Sequence, residues 1–243
     1  METSIAPVGD ATMAFATLES PDPPTSPNLP AFTGTTGFYQ QGQLLPAIKG
    51  SRQASAVNTG VMAVAEANYG RMDESLRYVS FVADELDVEQ PGALPELFPS
   101  PDYTYFPSFG GAMVMQAWAS YGIHWPLVDL FLGIKPNAPA RSLSVVPDLP
   151  SSWPELSIDE LRVGSCEISV SAQHSGKSYV TTVATPSGWS LTIGHTLPAG
   201  SQIQSVTLNG SPASYQVADT DRGREVHVQV NSGGIQKLTV QTQ

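Results

Sequence analysis

Beyond residue 143, hydrophobic and polar positions alternate. Leu161 and Val163, then Ile168, Val170 and Ala172, are separated by polar or small residues. The same period returns in Val180-Thr181-Thr182-Val183, at Leu191 and Ile193, at Val206 and Leu208, at Val226, Val228 and Val230, and at Leu238 and Val240. A period of two puts successive side chains on opposite faces of a strand, with one face buried. Turn residues stand between the runs: His174-Ser175-Gly176, Thr185-Pro186-Ser187-Gly188, Asn209-Gly210-Ser211, Asp221-Arg222-Gly223 and Asn231-Ser232-Gly233-Gly234. Asn209-Gly210 is the strongest hairpin signal, because a two-residue type I′ turn needs positive φ at both central positions. Short strands at this spacing predict an antiparallel β-sandwich over residues 139–243.

Upstream the period lengthens. Val57, Val61, Val64 and Asn68 recur at spacings of 4, 3 and 4, which predicts a helix with a mostly apolar stripe, stopped by Gly70. Asp73 is expected to cap a second helix, with Glu74 in its first turn and Leu76, Val79, Val82 (or Ala83) and Leu86 on the buried face. The two make a helical hairpin. Residues 112–121 follow, apolar almost all round and so expected to be buried on both sides, with Gly122 as their end. Pro126 suits the first turn of another helix, carrying Leu127, Leu130 and Phe131 and ending at Gly133. Ala67-Asn68-Tyr69-Gly70 and Ala119-Ser120-Tyr121-Gly122 share the pattern Ala-x-Tyr-Gly, so residues 51–138 read as an internal repeat of helical hairpins. About three or more such units are normally needed to bury one another's faces, and the pattern shows two. Residues 1–50 are irregular and rich in Pro, Ser, Thr and Gly. The run from Ser20 to Pro27 cannot be helix, since proline lacks the donor and restrains its predecessor. Phe15, Phe32, Phe38 and Tyr39 are nevertheless large apolar groups that a tail rarely carries.

Composition supports a core and narrows the partners. Hydrophobic residues make up 41% of the 243, enough for a packed interior, and charged residues only 14%. The net charge of -11 is uneven: -9 lies before Arg141 and -2 from there on. No basic cluster exists, so neither nucleic acid nor an anionic membrane surface is an expected partner. The longest apolar stretch, around 117–134, is broken by His124, Pro126 and Asp129 and is no transmembrane helix. The single Cys166 excludes an internal disulfide and a cysteine-rich metal site. His124, His174, His195 and His227 have no ligand spacing, so no metal and no cofactor is expected. The N-terminus shows neither a basic n-region nor a long apolar h-region, so no signal peptide is visible.

The chemistry is expected in the long, Pro-rich segment 91–108 between the hairpins. It sets Phe98, Tyr103, Tyr105 and Phe106 beside two carboxylates, Glu96 and Asp102. Aromatic rings stack on the apolar faces of sugars while acids do proton work, and such groups collect on loops held by rigid elements. Equally open is a structural loop in which Glu96 caps the next element. Arg52, just before the first helix, stands either at the surface or opposite a pocket carboxylate. Gln116 needs a partner inside an apolar helix, whether a sugar hydroxyl or a neighbouring backbone group. Trp118 reads as a core residue or as a sugar platform. Trp125 reads as packing at a helix start, Cys166 as a small hydrophobe, and Trp153 as packing of the linker between domains.

Several short pieces follow in order: Leu94-Pro95-Glu96-Leu97-Phe98, Gln116-Ala117-Trp118-Ala119, Leu132-Gly133-Ile134-Lys135-Pro136-Asn137-Ala138, Val146-Pro147-Asp148-Leu149-Pro150-Ser151-Ser152-Trp153-Pro154, and Leu161-Arg162-Val163-Gly164. Through them the chain resembles the C-terminal part of six-hairpin glycosidases, in particular the bacterial and archaeal glycogen-debranching, amylo-α-1,6-glucosidase-like group, with an α-L-rhamnosidase-like enzyme as the alternative. The resemblance implies the last hairpins of an (α/α)6 toroid followed by the β-sandwich. It implies an inverting hydrolase of α-linked oligosaccharide or polysaccharide, with Glu96 as general base and Gln116 and Trp118 lining the pocket. Asp102, Tyr103, Tyr105 and Arg52 complete the candidate substrate-binding set. The family often has proline before Gln-Ala-Trp-Ala, where this chain has Met115. Its general acid comes from a more N-terminal hairpin, for which the candidates before Glu66 are Asp10, Glu19 and Asp22, all in the irregular segment. The chain is therefore expected to be the C-terminal portion of a longer glycosidase, or else a carbohydrate-binding or interaction fragment without the general acid.

Overall fold

In the computed structural model the alternating half of the chain forms two β-sheets. The structure describes Ala11, Met13, Phe15, and residues 31–32, 38–40, 53–84, 86, 92–98, 115–231 and 233–243; of 31–32, 38–40, 53–55, 58 and 97–98 it describes the backbone only. The chain divides into two units, 1–69 with 74–126, and 70–73 with 127–243.

In the first unit, β1 (Ala31–Phe32), β2 (Phe38–Gln40), β3 (Gln53–Ser55) and β4 (Leu97–Phe98) make an antiparallel sheet in that order. Two strands thus arise within the segment read as irregular; its proline run lies outside the described residues. Helix α1 (Ala56–Asn68) follows β3 directly, and Gly70 takes φ 70° just past its end, as a left-handed stop requires. Helix α2 covers Met72–Asp84. Of the expected stripe of α1, Val64 is buried, whereas Val57, Val61 and Asn68 are partly exposed. The small residues Gly60, Ala63 and Ala67 are among its buried ones. They let a neighbouring backbone approach, and the Ser75 hydroxyl on α2 donates to the Ala63 carbonyl at 2.7 Å. Tyr78, Val79 and Val82 carry the buried face of α2, whereas Leu76 is half-exposed.

Gly122 does not end a helix. A 3₁₀ turn, Ala117–Ser120, runs into helix α3 (Tyr121–His124) and then into a π-helical stretch, Trp125–Phe131, without a break. Gly122 is glycine for another reason. A Cβ built on Gly60 would stand 2.7 Å from the Gly122 Cα, and one on Gly122 would stand 3.0 Å from the Gly60 Cα. The pair is a close helix crossing, so the Ala-x-Tyr-Gly repeat marks a stop in one copy and a contact in the other. Nor is the start of this helix buried all round: Met115, Ala117 and Trp118 are exposed, because Gln116 is extended (φ -126°, ψ 122°) and the first turn begins only after it. The real stop is Gly133, at φ 62°, where the chain turns into a strand.

In the second unit, a five-stranded sheet has the order β13-β14-β10-β6-β5 and a six-stranded sheet the order β12-β11-β15-β9-β8-β7. The strands are β5 (Ile134–Asn137), β6 (Ser142–Val145), β7 (Glu155–Val163), β8 (Cys166–Ser175), β9 (Ser178–Thr185), β10 (Ser190–Leu197), β11 (Ile203–Leu208), β12 (Ser211–Pro212), β13 (Gln216–Thr220), β14 (Gly223–Val230) and β15 (Gly234–Thr242). The predicted sandwich strands are all present, and β5, β6, β12 and β13 join them. Pairing is antiparallel except for β6 with β10, which runs parallel, Leu143 opposite Leu191 and Val145 opposite Ile193. The core lies where the alternation put it: Ile168, Val170, Leu191, Ile193, Val226, Leu238 and Val240 are buried.

One phase is inverted. On β9 the buried positions are Thr181, Val183 and Thr185, and Val180 is partly exposed. A threonine tolerates this interior because its hydroxyl is satisfied across the sheets: Thr181 Oγ1 donates to the Gly194 carbonyl at 2.7 Å and meets His195 Nδ1 at 2.9 Å. Having given its proton to the carbonyl, the hydroxyl is the acceptor for the Nδ1–H. The expected cap at Asp73 is also replaced. Asp73 lies inside α2, and its carboxylate accepts from the Ser151 amide at 2.7 Å and the Ser151 hydroxyl at 2.8 Å. Trp153 packs edge-on against Phe131, ring centroids 6.1 Å apart.

Candidate functional site

Glu96 is placed by three backbone connections. Its carbonyl accepts from the Ala56 amide at 3.0 Å, continuing the β3–β4 pairing of Ser55 with Leu97 into the first residue of α1. That amide is one of the four that a helix leaves without an internal partner. Two residues earlier, the Leu94 carbonyl accepts from the Gln116 amide at 2.9 Å, fastening the same segment to the start of the 3₁₀ turn. Leu94 itself is buried with Ala56, Val82 and Ala119, and Phe81, Leu86 and Ile123 pack against that cluster. Ala93, Leu94 and Pro95 are buried and Glu96 is half-buried. The peptide thus surfaces at Glu96 after an anchored apolar stretch.

The side chains agree with the backbone. Gln116 Nε2 donates to Glu96 Oε2 at 3.5 Å, the long end of a hydrogen bond. The Gln116 side-chain amide, expected to meet a sugar hydroxyl or a backbone group, meets the Glu96 carboxylate instead. Trp118, two residues on, is 50% exposed, so it is not the core residue its helical position suggested. It begins a row of rings at helical spacing. Tyr121 lies three residues on and Trp125 four further, with Tyr121 and Trp125 ring centroids 5.8 Å apart at 46°. Trp125 is 47% exposed, in mid-helix rather than packed at a helix start. Neither Tyr121 nor Trp125 was marked by sequence as a binding residue; their spacing from Trp118 was the available signal. His124 Nδ1 engages the Ser120 carbonyl at 3.0 Å on the same turn.

Arg52, Asp102, Tyr103 and Tyr105 lie outside the described residues. Glu66, fully buried, stands ten residues along α1 from Ala56, roughly 15 Å of helix rise. No group of three His, Cys, Asp or Glu side chains able to hold a metal occurs among the described residues, and no described helix is long and apolar enough to cross a membrane.

No protein-family model and no curated protein matches the sequence. Solved structures do match the fold. The chain is similar to α-L-rhamnosidase from Streptomyces avermitilis, complexed with L-rhamnose, at 16% identity and a TM-score of 0.52, over 76% of this chain and 18% of that one. It is similar to α-L-rhamnosidase from Dictyoglumus thermophilum at 11% identity and a TM-score of 0.51, over 76% of this chain and 20% of that one. The chain therefore spans about a fifth of the length of either enzyme. At these identities the likeness is one of fold: this chain has a fold found within glycoside hydrolases.

Proposed function

We propose that the chain is the C-terminal part of an inverting glycoside hydrolase acting on α-linked oligosaccharide or polysaccharide, with Glu96 as the general base. The observation that carries this reading is the Glu96–Gln116 contact. A half-buried carboxylate, fixed by backbone bonds at the start of α1, receives the Gln116 amide proton, and a carboxylate so placed can act as base toward water. Gln116 holds the carboxylate oriented, and Trp118, exposed two residues on in the chain, is the sugar platform of this reading. The fold shared with two rhamnosidases supports a place among six-hairpin glycosidases, with the described helices as the last hairpins of an (α/α)6 toroid. The glycogen-debranching group and the rhamnosidases differ as to sugar, and the five sequence pieces favour the former. The general acid then comes from outside the described residues.

The test is hydrolysis of aryl α-glucosides and α-rhamnosides by the chain, alone and joined to whatever coding sequence precedes it, with the product anomer followed by NMR. Glu96→Gln is expected to lower kcat about 10²–10⁴-fold, the usual contribution of a positioned acid or base, with KM nearly unchanged. Undiminished turnover by this variant, or retention of anomeric configuration, overturns the assignment.

One observation favours a second reading, a carbohydrate-binding fragment without chemistry: the exposed rings Trp118 and Trp125, with the half-buried Tyr121 between them in the chain. Exposed rings bind sugars by stacking without any carboxyl group. If neither form of the chain hydrolyses glycosides but both bind them, and Trp118→Ala abolishes binding while Glu96→Gln does not, this second reading replaces the first.

A further inference from the structure

The second unit contains a group of charged side chains that the glycosidase reading does not use. Arg222 lies in the turn between β13 and β14, and its side chain is 9% exposed. Its Nη2 donates to the Leu130 carbonyl at 2.8 Å and stands 3.9 Å from Asp148 Oδ2. Leu130 is the next-to-last residue of the π-helical stretch, and the final carbonyls of a helix lack internal partners and carry partial negative charge. A guanidinium is suited to such a place because it donates in a fixed plane and remains charged when buried. The turn is also held by its backbone: a Cβ on Gly70 would come within 2.4 Å of the Arg222 carbonyl oxygen. Asp148 is fastened to the same helix end, its amide donating to the Phe131 carbonyl at 2.9 Å. Arg222 thus clasps the end of the helical stretch to the sandwich, with Asp148 beside it.

The surroundings decide what Asp148 does. β14 contributes Glu225 and His227, joined at 2.9 Å between Oε2 and Nε2, and the Thr220 hydroxyl on β13 donates to Glu225 Oε1 at 3.3 Å. β10 contributes His195, β9 Tyr179 and β8 His174, with Tyr179 edge-on to His195 at 5.2 Å and stacked near His174 at 6.5 Å. Glu225 has what a buried carboxylate needs: burial pushes it up, but the His227 hydrogen bond and Arg222 outweigh burial and hold it below its ordinary value. Asp148 lacks that support. Its Oδ2 has no hydrogen-bond partner among the described residues, and 3.9 Å is the outer edge of an ion pair. Burial outweighs the pull of Arg222, Glu225 adds to the push, and the Asp148 carboxyl rises to about 7.

We propose that Asp148 is a proton-operated control on the Arg222 clasp. Protonated, Asp148 is neutral and leaves Arg222 to the Leu130 carbonyl and to Glu225. Ionised, it sets a buried, poorly solvated charge beside the helix end and loosens the fold there. Because the folded carboxyl sits above the unfolded one, its contribution to stability is whole below about pH 4 and is lost as pH rises through about 7. In that window each pH unit changes the folding equilibrium constant about tenfold. His195 works in the opposite sense. Burial first, then His174 and Arg222, lower it to about 3, so its contribution is whole above pH 6.5 and is lost toward pH 3. Between about pH 4 and 6.5 the two slopes cancel, and the native chain is expected to be flat where either residue alone would be steep.

Thermal unfolding of the full chain from pH 4.5 to 7.5 tests this. Asp148→Asn is expected to gain on the native chain by about tenfold in the folding constant per pH unit, its own profile rising with pH through His195. Parallel native and Asp148→Asn profiles overturn the proposal. Should Asp148→Asn fail to fold, hydrogen exchange of the native chain decides. Corrected for intrinsic rates, protection of the Asp148 and Val146 amides should fall between pH 5 and 8 relative to Val228 in the sheet. A constant ratio overturns the proposal equally.

Discussion

The two units of this chain were built by different rules. In the β-sandwich, a two-residue period decides which side chains enter the core, and turn chemistry decides the register. At Asn209-Gly210 both residues take positive φ, 53° and 81°, and the Asn209 side chain accepts from the Lys237 amide at 2.8 Å and donates to Gln236 Oε1 at 2.8 Å. The conformation of this turn lies in the two residues that signal it, and the Asn209 side chain then ties it to β15. In the helical unit, α1 carries small buried residues, and its Gly60 meets another glycine 62 positions away in the chain. A glycine after a helical pattern reads as a stop, and local sequence does not separate a stop from a crossing. Local rules suffice where side chains alternate in and out; where backbones touch, the deciding partner is distant.

A helix stop, Gly133, and a helix crossing, Gly60 with Gly122, offer the sharpest test of that contrast. Gly133→Ala should be the more damaging. Alanine pays for a left-handed φ of 62° by about 1–2 kcal/mol, and its Cβ would come within 2.0 Å of the Val146 carbonyl oxygen. That clash falls on a backbone atom between β6 and Asp148, so the total should exceed about 3 kcal/mol. Gly60→Ala meets the Gly122 Cα at 2.7 Å with helical φ, a pure overpacking that separates α1 from α3 by a few tenths of an ångström. Its expected cost is about 1–3 kcal/mol. Denaturant unfolding followed by hydrogen exchange should show Gly60→Ala weakening protection in α1 and leaving β9 and β14 unchanged. If Gly60→Ala costs nothing and Gly122→Ala likewise, the crossing is no contact and Gly122 returns to being a weak helix stop.

The same distinction explains what was legible. The sandwich strands and their core could be read because β-periodicity reports burial directly. Thr181 was the exception, its phase inverted by a hydrogen bond to Gly194 in the opposite sheet that no local pattern contains. The parallel β6–β10 pair was hidden because strands 45 residues apart leave no turn signal between them. In the helical unit the first hairpin and its Gly70 stop were readable, but the continuous helix 117–131 was not, since Gly122 and Pro126 both resemble punctuation. At the candidate site, Glu96 and Gln116 were named from resemblance to a family and the structure brings them together. Spacing alone would not have paired them, because 20 residues separate them and their union depends on the Ala56–Glu96 and Gln116–Leu94 backbone bonds. Tyr121 and Trp125 went unmarked as binding residues because an aromatic helix face reads first as core.

The smallest expected effect concerns Asp73, where a local rule was plausible and a distant partner prevailed. As a helix cap it would serve the amides of its own first turn, and the loss on mutation would be confined to α2. Its carboxylate is instead given to Ser151, 78 residues on, through both the amide and the hydroxyl. Both bonds are exposed, so water replaces them at modest cost, and Asp73→Ala should destabilise by about 1 kcal/mol. The location of the effect discriminates better than its size. Exchange of the Ser151 amide should accelerate in Asp73→Ala while the amides of Ser75 and Leu76 keep their protection. Asp73→Asn, which keeps an acceptor oxygen for the Ser151 amide but loses the charge, should fall between the two. If the Ser75 and Leu76 amides lose protection and Ser151 does not, Asp73 is a cap after all, and the local reading stands at this helix as it does in the sandwich hairpins.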